Sequence, residues 1–312
     1  MAEVTVVGAG VVGMTTALTL LEAGHRVRVI TADTITTTTS AVAAAVWFPT
    51  HVGPLDRVMR WAADTFVVLA EQAGRRVPGV LLRESLALYR EPPGEPRWAA
   101  AIGSVRAAHR DELPPGYPHG LRFAVPQTVM PHYLPWLADE IGRRGGWFTH
   151  TRLRALNDAA DGDVVVNCTG LGARDLAGDA SVYPVRGQVV RVADPGLTMS
   201  VRDEHHPAGR AYVHPRGDDC ILGGTLDEDE WDTTVNAATA EAIVERCCDL
   251  APALRGAEVL GHAVGLRPGR PTVRLGEDAP LASGARLIHN YGHGGAGMTL
   301  GWGCAREVSS LI

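Results

Sequence analysis

Residues 4–13 read VTVVGAGVVG, and no other stretch limits the fold of this chain so strongly. A short apolar run rich in β-branched residues suits a buried parallel strand. Gly8, Gly10 and Gly13 then form GxGxxG, and MTTALTLLEAG (14–24) follows with helical spacing and a glycine stop. HRVRVIT (25–31) reads as the next strand, which completes a right-handed βαβ unit. In that setting Gly8 permits a tight turn, Gly10 lets backbone approach a pyrophosphate, and Gly13 lets the helix pack close to the strand. The helix N-terminus adds N–H donors and partial positive charge. A strand–helix turn with no ligand is the weaker reading here. The motif leaves NAD and FAD both open. The acid that commonly meets the ribose at the end of the second strand is absent: Thr31 stands there, and Asp33 is the candidate.

The remaining chain supplies a second architecture. TITTTTSAVAAAVWFPT (34–50) carries no charge, and its small side chains and hydroxyls suit close approach to a flat, polar-edged group; a plain surface turn is an equal reading of the threonine run. Helices are expected at 55–74, 133–146 and 239–254, with Leu134, Leu137 and Ile141 on one face of the second. DVVVNCTG (163–170) reads as another buried strand running into a glycine turn, and residues 182–225 have a β-like pattern. Residues 91–120, rich in Pro and Gly, read as loops with a short helix. Strands near 258–266 and 286–290 precede a last helix. The expected fold is α/β: a Rossmann-like cofactor domain built from both chain ends, with a β-rich substrate domain inserted. Residues 1–50, 135–185 and 265–312 are assigned to the former, and 51–134 and 186–264 to the latter.

Bulk properties exclude several function classes. A net charge of −6 argues against nucleic acid or an anionic membrane as partner. No run approaches the roughly 18 apolar residues of a membrane span. The opening lacks a basic n-region and a long apolar h-region, so no secretory signal is expected. The five cysteines form no CxxC pair and no metal-ligand spacing with the 12 histidines; buried free thiols, no metal and a cytoplasmic setting are expected.

Six segments in order, VVGAGVVGMTTALTLLEAGHRV, TTTSAVAAAVWFP, VVVNCTG, AYVHP, GLRPGRPTVRL and HNYGHGGAGMTLGWG, span the chain and resemble the D-amino-acid oxidase family of FAD flavoproteins. The last two are the most specific, and they favour FAD over NAD. By this resemblance Arg267 grips the substrate carboxylate, as a planar guanidinium does with two parallel hydrogen bonds. Tyr212 meets the same carboxylate, and the Gly295 carbonyl accepts from the substrate amine. The resemblance assigns Gly8, Ala9, Gly10, Val11, Val12 and Gly13 to the pyrophosphate turn, and Thr38, Thr39 and Ser40 to the pyrophosphate and ring side. It places Ala44, Ala45 and Val46 beside the isoalloxazine, Leu153 near adenine and Thr169 on the cofactor. Gly294, Gly295, Gly297, Met298 and Thr299 surround the flavin ring.

The implied reaction is oxidative deamination of a D-amino acid to a 2-oxo acid, ammonia and hydrogen peroxide, with hydride transfer to FAD, dioxygen as electron acceptor and no side-chain base at Cα. A homodimer is the expected assembly. His289 and His293 are read as backbone partners rather than catalysts, and at least one of Arg270 and Arg274 as a structural ion-pair partner. Asp227 to Glu230 read as a solvated acidic loop. Three positions depart from the family pattern. Ala208 replaces a second tyrosine four residues before Tyr212, which implies a short or absent lid. Phe48 replaces a polar residue, and Thr50 a bulkier aromatic. D-Aspartate oxidase is one alternative, for which Arg202 and Arg210 are candidate extra cations; glycine or sarcosine oxidase is another. From other classes, an NAD-dependent dehydrogenase or a non-catalytic flavin-binding module remain.

Overall fold

The computed structural model describes residues 1–49 and 52–312. Thr50, and the expected domain boundary beside it, lie outside the described residues.

Six strands form one sheet: β1 (Glu3–Val7), β2 (Arg26–Thr31), β6 (Trp147–His150), β7 (Val164–Asn167), β14 (Arg274–Asp278) and β15 (Arg286–Tyr291). Their order is β14-β15-β7-β1-β2-β6, parallel except for the antiparallel edge strand β14. The central strands are buried on both faces, so they are apolar runs of Val and Ile rather than alternating patterns. Strands from both ends of the chain therefore meet at the sheet centre, as the sequence reading expects. The sequence reading misses β6 and β14. β6 is four residues long with an exposed tryptophan, and β14 is an edge strand with charged ends, so neither carries a core signature.

The second sheet holds nine strands: β3 (Val80–Tyr89), β4 (Val105–Ala107), β5 (His119–Thr128), β8 (Tyr183–Ala193), β9 (Ser200–Asp203), β10 (Ala211–Pro215), β11 (Asp219–Gly223), β12 (Asp227–Glu228) and β13 (Val259–Gly269). All pairings are antiparallel save β3 with β9. β4 and β5 also escape the sequence reading: β4 lies within 91–120, which reads as loops with a short helix, and β5 sits beside that Pro- and Gly-rich stretch and contains Pro126. The acidic run is corrected in part: Asp227 and Glu228 are exposed but form the short β12 against β8.

Eight α-helices, with short 3-10 turns between elements, complete the described chain. α1 (Val11–Glu22), α3 (Leu55–Gly74), α5 (Met130–Arg143), α7 (Ala237–Leu250) and α8 (Gly297–Leu311) are the long ones; α2 (Thr39–Val42), α4 (Ala99–Ile102) and α6 (Ala173–Leu176) are single turns. α1 packs against both α8 and α5, and α8 also against α3. That last contact is close because Gly303 has no side chain: a Cβ there would sit 2.2 Å from the Trp61 carbonyl oxygen. Leu134, Leu137 and Ile141 are the buried face of α5. All five cysteines are free and buried, and no described helix is long and apolar enough to cross a membrane.

Candidate active site

A cavity of about 720 Å³ lies between the carboxyl ends of the parallel strands and one face of the nine-stranded sheet. Open α/β sheets present ligand sites in just that crevice. Of the residues nominated from sequence, Gly8, Ala9, Gly10, Val11, Val12, Thr38, Thr39, Ser40, Ala44, Ala45 and Val46 line it. So do Leu153, Thr169, Tyr212, Arg267, Gly294, Gly295, Gly297, Met298 and Thr299. Gly13 is the exception. A Cβ there would lie 1.9 Å from the Gly8 carbonyl oxygen, so this glycine serves helix–turn packing and does not border the cavity.

The first glycine turn runs from β1 into α1. Gly8 has φ +111° and would drive a Cβ to 2.4 Å from the Cys168 carbonyl oxygen. Gly10 is the N-cap of α1 and offers no side-chain cap, while the Val11 N–H donates to Ser40 Oγ at 3.0 Å. Beyond Val11, the first turn gets no cap from Gly10, and N–H donors of a helix start that faces a cavity suit an anion. The hydroxyl run spends its protons within the protein. Thr38 donates to the Ile35 carbonyl at 2.8 Å and Thr39 to the Leu266 carbonyl at 2.9 Å. Both protons are thus used inside the protein, and these hydroxyls face the cavity as acceptors. Asp33 borders the cavity, but its carboxylate pairs with Arg152 at 3.0 Å. The strand end does turn there, with Thr31 Oγ1 donating to the Asp33 carbonyl.

The second glycine turn runs from β15 into α8 through HGGAG. His293 is buried, its Nε2 finds no partner among the described residues, and burial pushes its pKa down to about 4. Asn290 Oδ1 is similarly unpartnered. Both residues line the cavity. Buried polar atoms without partners are rare in native folds, and a polar ligand in the cavity is the natural partner. The segment 43–48 forms a further wall: the Thr128 N–H donates to the Ala45 carbonyl, the Trp47 N–H to the Pro126 carbonyl, and the Phe48 N–H to Thr299 Oγ1.

The sheet wall carries the cationic groups. Tyr212 on β10 lies directly across from Arg202 on β9 and Gly223 on β11. Strand alternation puts Tyr212 and His214 on one face, where their rings stack at 4.8 Å. Burial raises the Tyr212 phenol above its usual pKa, against the pull of Arg267, so its hydroxyl stays a donor. Burial, then the charge of Arg202, holds His214 far below its usual value and keeps it neutral. Arg267 on β13 donates from Nη1 to the Thr225 carbonyl at 3.0 Å, and no described carboxylate pairs with it. Sequence reasoning missed the glycines that make this wall. A Cβ on Gly187 would meet the Arg267 guanidinium at 2.3 Å, and one on Gly223 would meet the Tyr212 ring at 2.2 Å. RGQ and LGGT inside otherwise β-like runs were the available signal.

Arg202 and Arg210 also line the cavity. Arg202 is buried, with its guanidinium 3.9 Å over the Phe48 ring. Arg210 pairs with Glu204 at 2.8 Å. Ala208 lies in the short β9–β10 connection, where the Gly209 N–H donates to the His206 carbonyl, so no long lid arises there. Arg270 pairs with Asp179 at 2.9 Å, and Arg274 pairs with Asp278; both are structural, as the sequence reading expects of at least one.

The profile of the FAD dependent oxidoreductase (DAO) family matches residues 3–311. The chain belongs to this family. It is 50% identical to a D-amino-acid oxidase of Rubrobacter xylanophilus, over 99% of this chain and 95% of that one. It is 38% identical to a D-aspartate oxidase of Homo sapiens, over 100% and 94%. Among solved structures, glycine oxidase from Geobacillus kaustophilus superposes with a TM-score of 0.80 at 21% identity, covering 99% of this chain and 94% of that one, a likeness of fold. Family membership brings FAD as the cofactor, and the two glycine turns, the uncapped start of α1 and the unpartnered His293 and Asn290 atoms fit it.

Proposed function

We propose that this protein oxidises D-amino acids to 2-oxo acids, releasing ammonia and hydrogen peroxide. The carrying observation is the Arg267–Tyr212 pair: an arginine with no described carboxylate partner beside a protonated phenol, both facing the cavity of an FAD family member. Arg267 and Tyr212 bind the substrate carboxylate, and the Gly295 carbonyl accepts from the amine. A Cβ on Gly295 would lie 3.2 Å from Arg267 Cδ, so the two anchor points adjoin. When bound, FAD would supply the acceptor for the Cα hydride and the route of the electrons to dioxygen. Gly8 to Val12, Thr38 to Ser40, Ala44 to Val46, Leu153, Thr169, Gly294, Gly297, Met298 and Thr299 hold the cofactor. Fixing both substrate ends orients the Cα–H, a positioning effect worth several kcal/mol, roughly 7 or more in favourable cases. The imino acid product hydrolyses in water.

The purified protein is expected to be yellow and to release peroxide with neutral D-amino acids and not with L-forms. Peroxide from L-forms alone, or none from any amino acid, overturns the reading. A second reading, an acidic D-amino acid, is favoured by Arg202: a buried cation on the same wall, opposite Tyr212. If a side-chain carboxylate rests on it, Arg202→Met lowers kcat/KM for D-aspartate about tenfold more than for D-alanine; equal losses exclude this. The five buried thiols support a cytoplasmic setting. Exposed apolar side chains such as Trp231 and Val259 support a homodimer, which sedimentation tests.

A further inference from the structure

A chain of directional hydrogen bonds runs from the sheet edge to the cavity wall. The Thr169 N–H and hydroxyl both reach Asn167 Oδ1, at 3.1 and 2.7 Å. A backbone N–H needs an acceptor, so that atom is the amide oxygen and the Thr169 hydroxyl donates to it. The Asn167 amide nitrogen then faces His289 Nδ1 at 3.2 Å and must donate. His289 Nδ1 is therefore unprotonated, and Nε2 carries the hydrogen toward Asp278 Oδ2 at 3.0 Å. Asn167 and His289 are both buried. With its proton committed to Asn167, Thr169 presents only lone pairs to the cavity that it lines. An acceptor cannot bind a phosphate oxygen, which is an acceptor too.

We infer that His289 is a positioning residue for the cofactor: through Asn167 it sets the Thr169 hydroxyl as an acceptor for a hydroxyl or N–H group of FAD. This rests on the FAD reading above. The ring partners of His289 are thus the side chains of Asn167 and Asp278, not the backbone expected from sequence, and no step of the proposed reaction uses it. The charged and titratable groups around it are Asp278, Arg274, Asp179 and Tyr291. Arg274 and Asp278 pair with each other, so the Asp278 end of the chain is anchored.

The test titrates apoprotein with FAD by flavin fluorescence. His289→Leu and Thr169→Val are each expected to raise the FAD Kd about tenfold, the size of one hydrogen bond. The double variant is expected to be no weaker than Thr169→Val alone, because both break the same chain. His289→Asn, whose amide oxygen occupies the Nδ1 side, is expected to stay within about threefold of wild type. Nitrogen NMR shifts of His289 in the wild-type protein are expected to show Nδ1 bare and Nε2 protonated, a result that needs no variant to fold. A protonated Nδ1, full additivity, or His289→Leu binding FAD like wild type overturns the inference while leaving the oxidase reading intact. Wild-type apoprotein that fails to bind FAD overturns both.

Discussion

The two glycine turns share one pattern, strand into helix at the carboxyl end of an interior strand, yet their glycines exist for different reasons. In GAGVVG two of the three glycines, Gly8 and Gly13, are forced by the protein itself, while a Cβ on Gly10 would meet only Ser40 Oγ at 3.3 Å. A Cβ on Gly8 or Gly13 would meet backbone oxygen at 2.4 or 1.9 Å. In HGGAG no backbone is met: a Cβ on Gly294, Gly295 or Gly297 would touch only side chains, at 3.5, 3.2 and 3.4 Å, and Gly294 alone holds a left-handed φ, +52°. The first turn is glycine-rich so that chain can touch chain. The second is glycine-rich so that space remains for cofactor and substrate, and its His293 is left with an unpartnered nitrogen. Damage to the first turn is thus expected to unfold the protein, and damage near the second to leave it folded but impaired.

The largest effect follows from Gly13→Ala. A backbone clash that deep cannot relax by side-chain motion, and a loss of more than about 4 kcal/mol is expected, read as loss of soluble, cooperatively melting protein. A soluble Gly13→Ala variant melting near wild type would break the comparison. Next, Arg267→Ala removes the carboxylate anchor beside the second turn. It is expected to fold normally, bind FAD, and lower kcat/KM about a thousandfold, mostly through KM. Full activity on D-alanine would remove Arg267 from the site.

A third prediction concerns pH. His293 is held at about 4 in the fold, below the roughly 6.5 of an unfolded histidine. The unfolded state therefore takes up a proton first as pH falls. Stability of the apoprotein is full above about pH 6.5 and declines by a few kcal/mol, roughly 3, on the way to pH 4. Melting curves of apoprotein between those values are expected to shift less in His293→Gln. The smallest effect is that of Gly295→Ala. Its backbone is not in the left-handed region, so thermal stability is expected to change little. Its Cβ would press on Arg267 Cδ, and KM for substrate is expected to rise about tenfold with FAD retained.

Much of this was legible beforehand. The βαβ opening, the buried strand before NCTG, the face of α5 and the strand–helix reading of the last segment all follow from local pattern. The hydroxyl run shows the limit. Thr38 and Thr39 line the cavity, but their donated protons go to Ile35, three residues back, and to Leu266; the second partner is distant in sequence and invisible to composition. The exposed or proline-bearing strands β4, β5, β6 and β14 were missed because they lack the apolar periodicity that marks a buried strand. Gly187 and Gly223 were missed because their reason is a side chain on another strand.

By itself, then, the sequence determined what short-range sterics and periodicity control: the buried apolar strands and the long helices, the turn where Gly8 leads into α1, and the segments that resemble a flavoprotein family. Only the tertiary structure decided which face of β10 looks into the cavity, which arginines are already paired, and where each hydroxyl proton points. The physical reason is that hydrogen bonds and ion pairs are directional and act between residues far apart in the chain, so their geometry exists only once the two sheets are packed together.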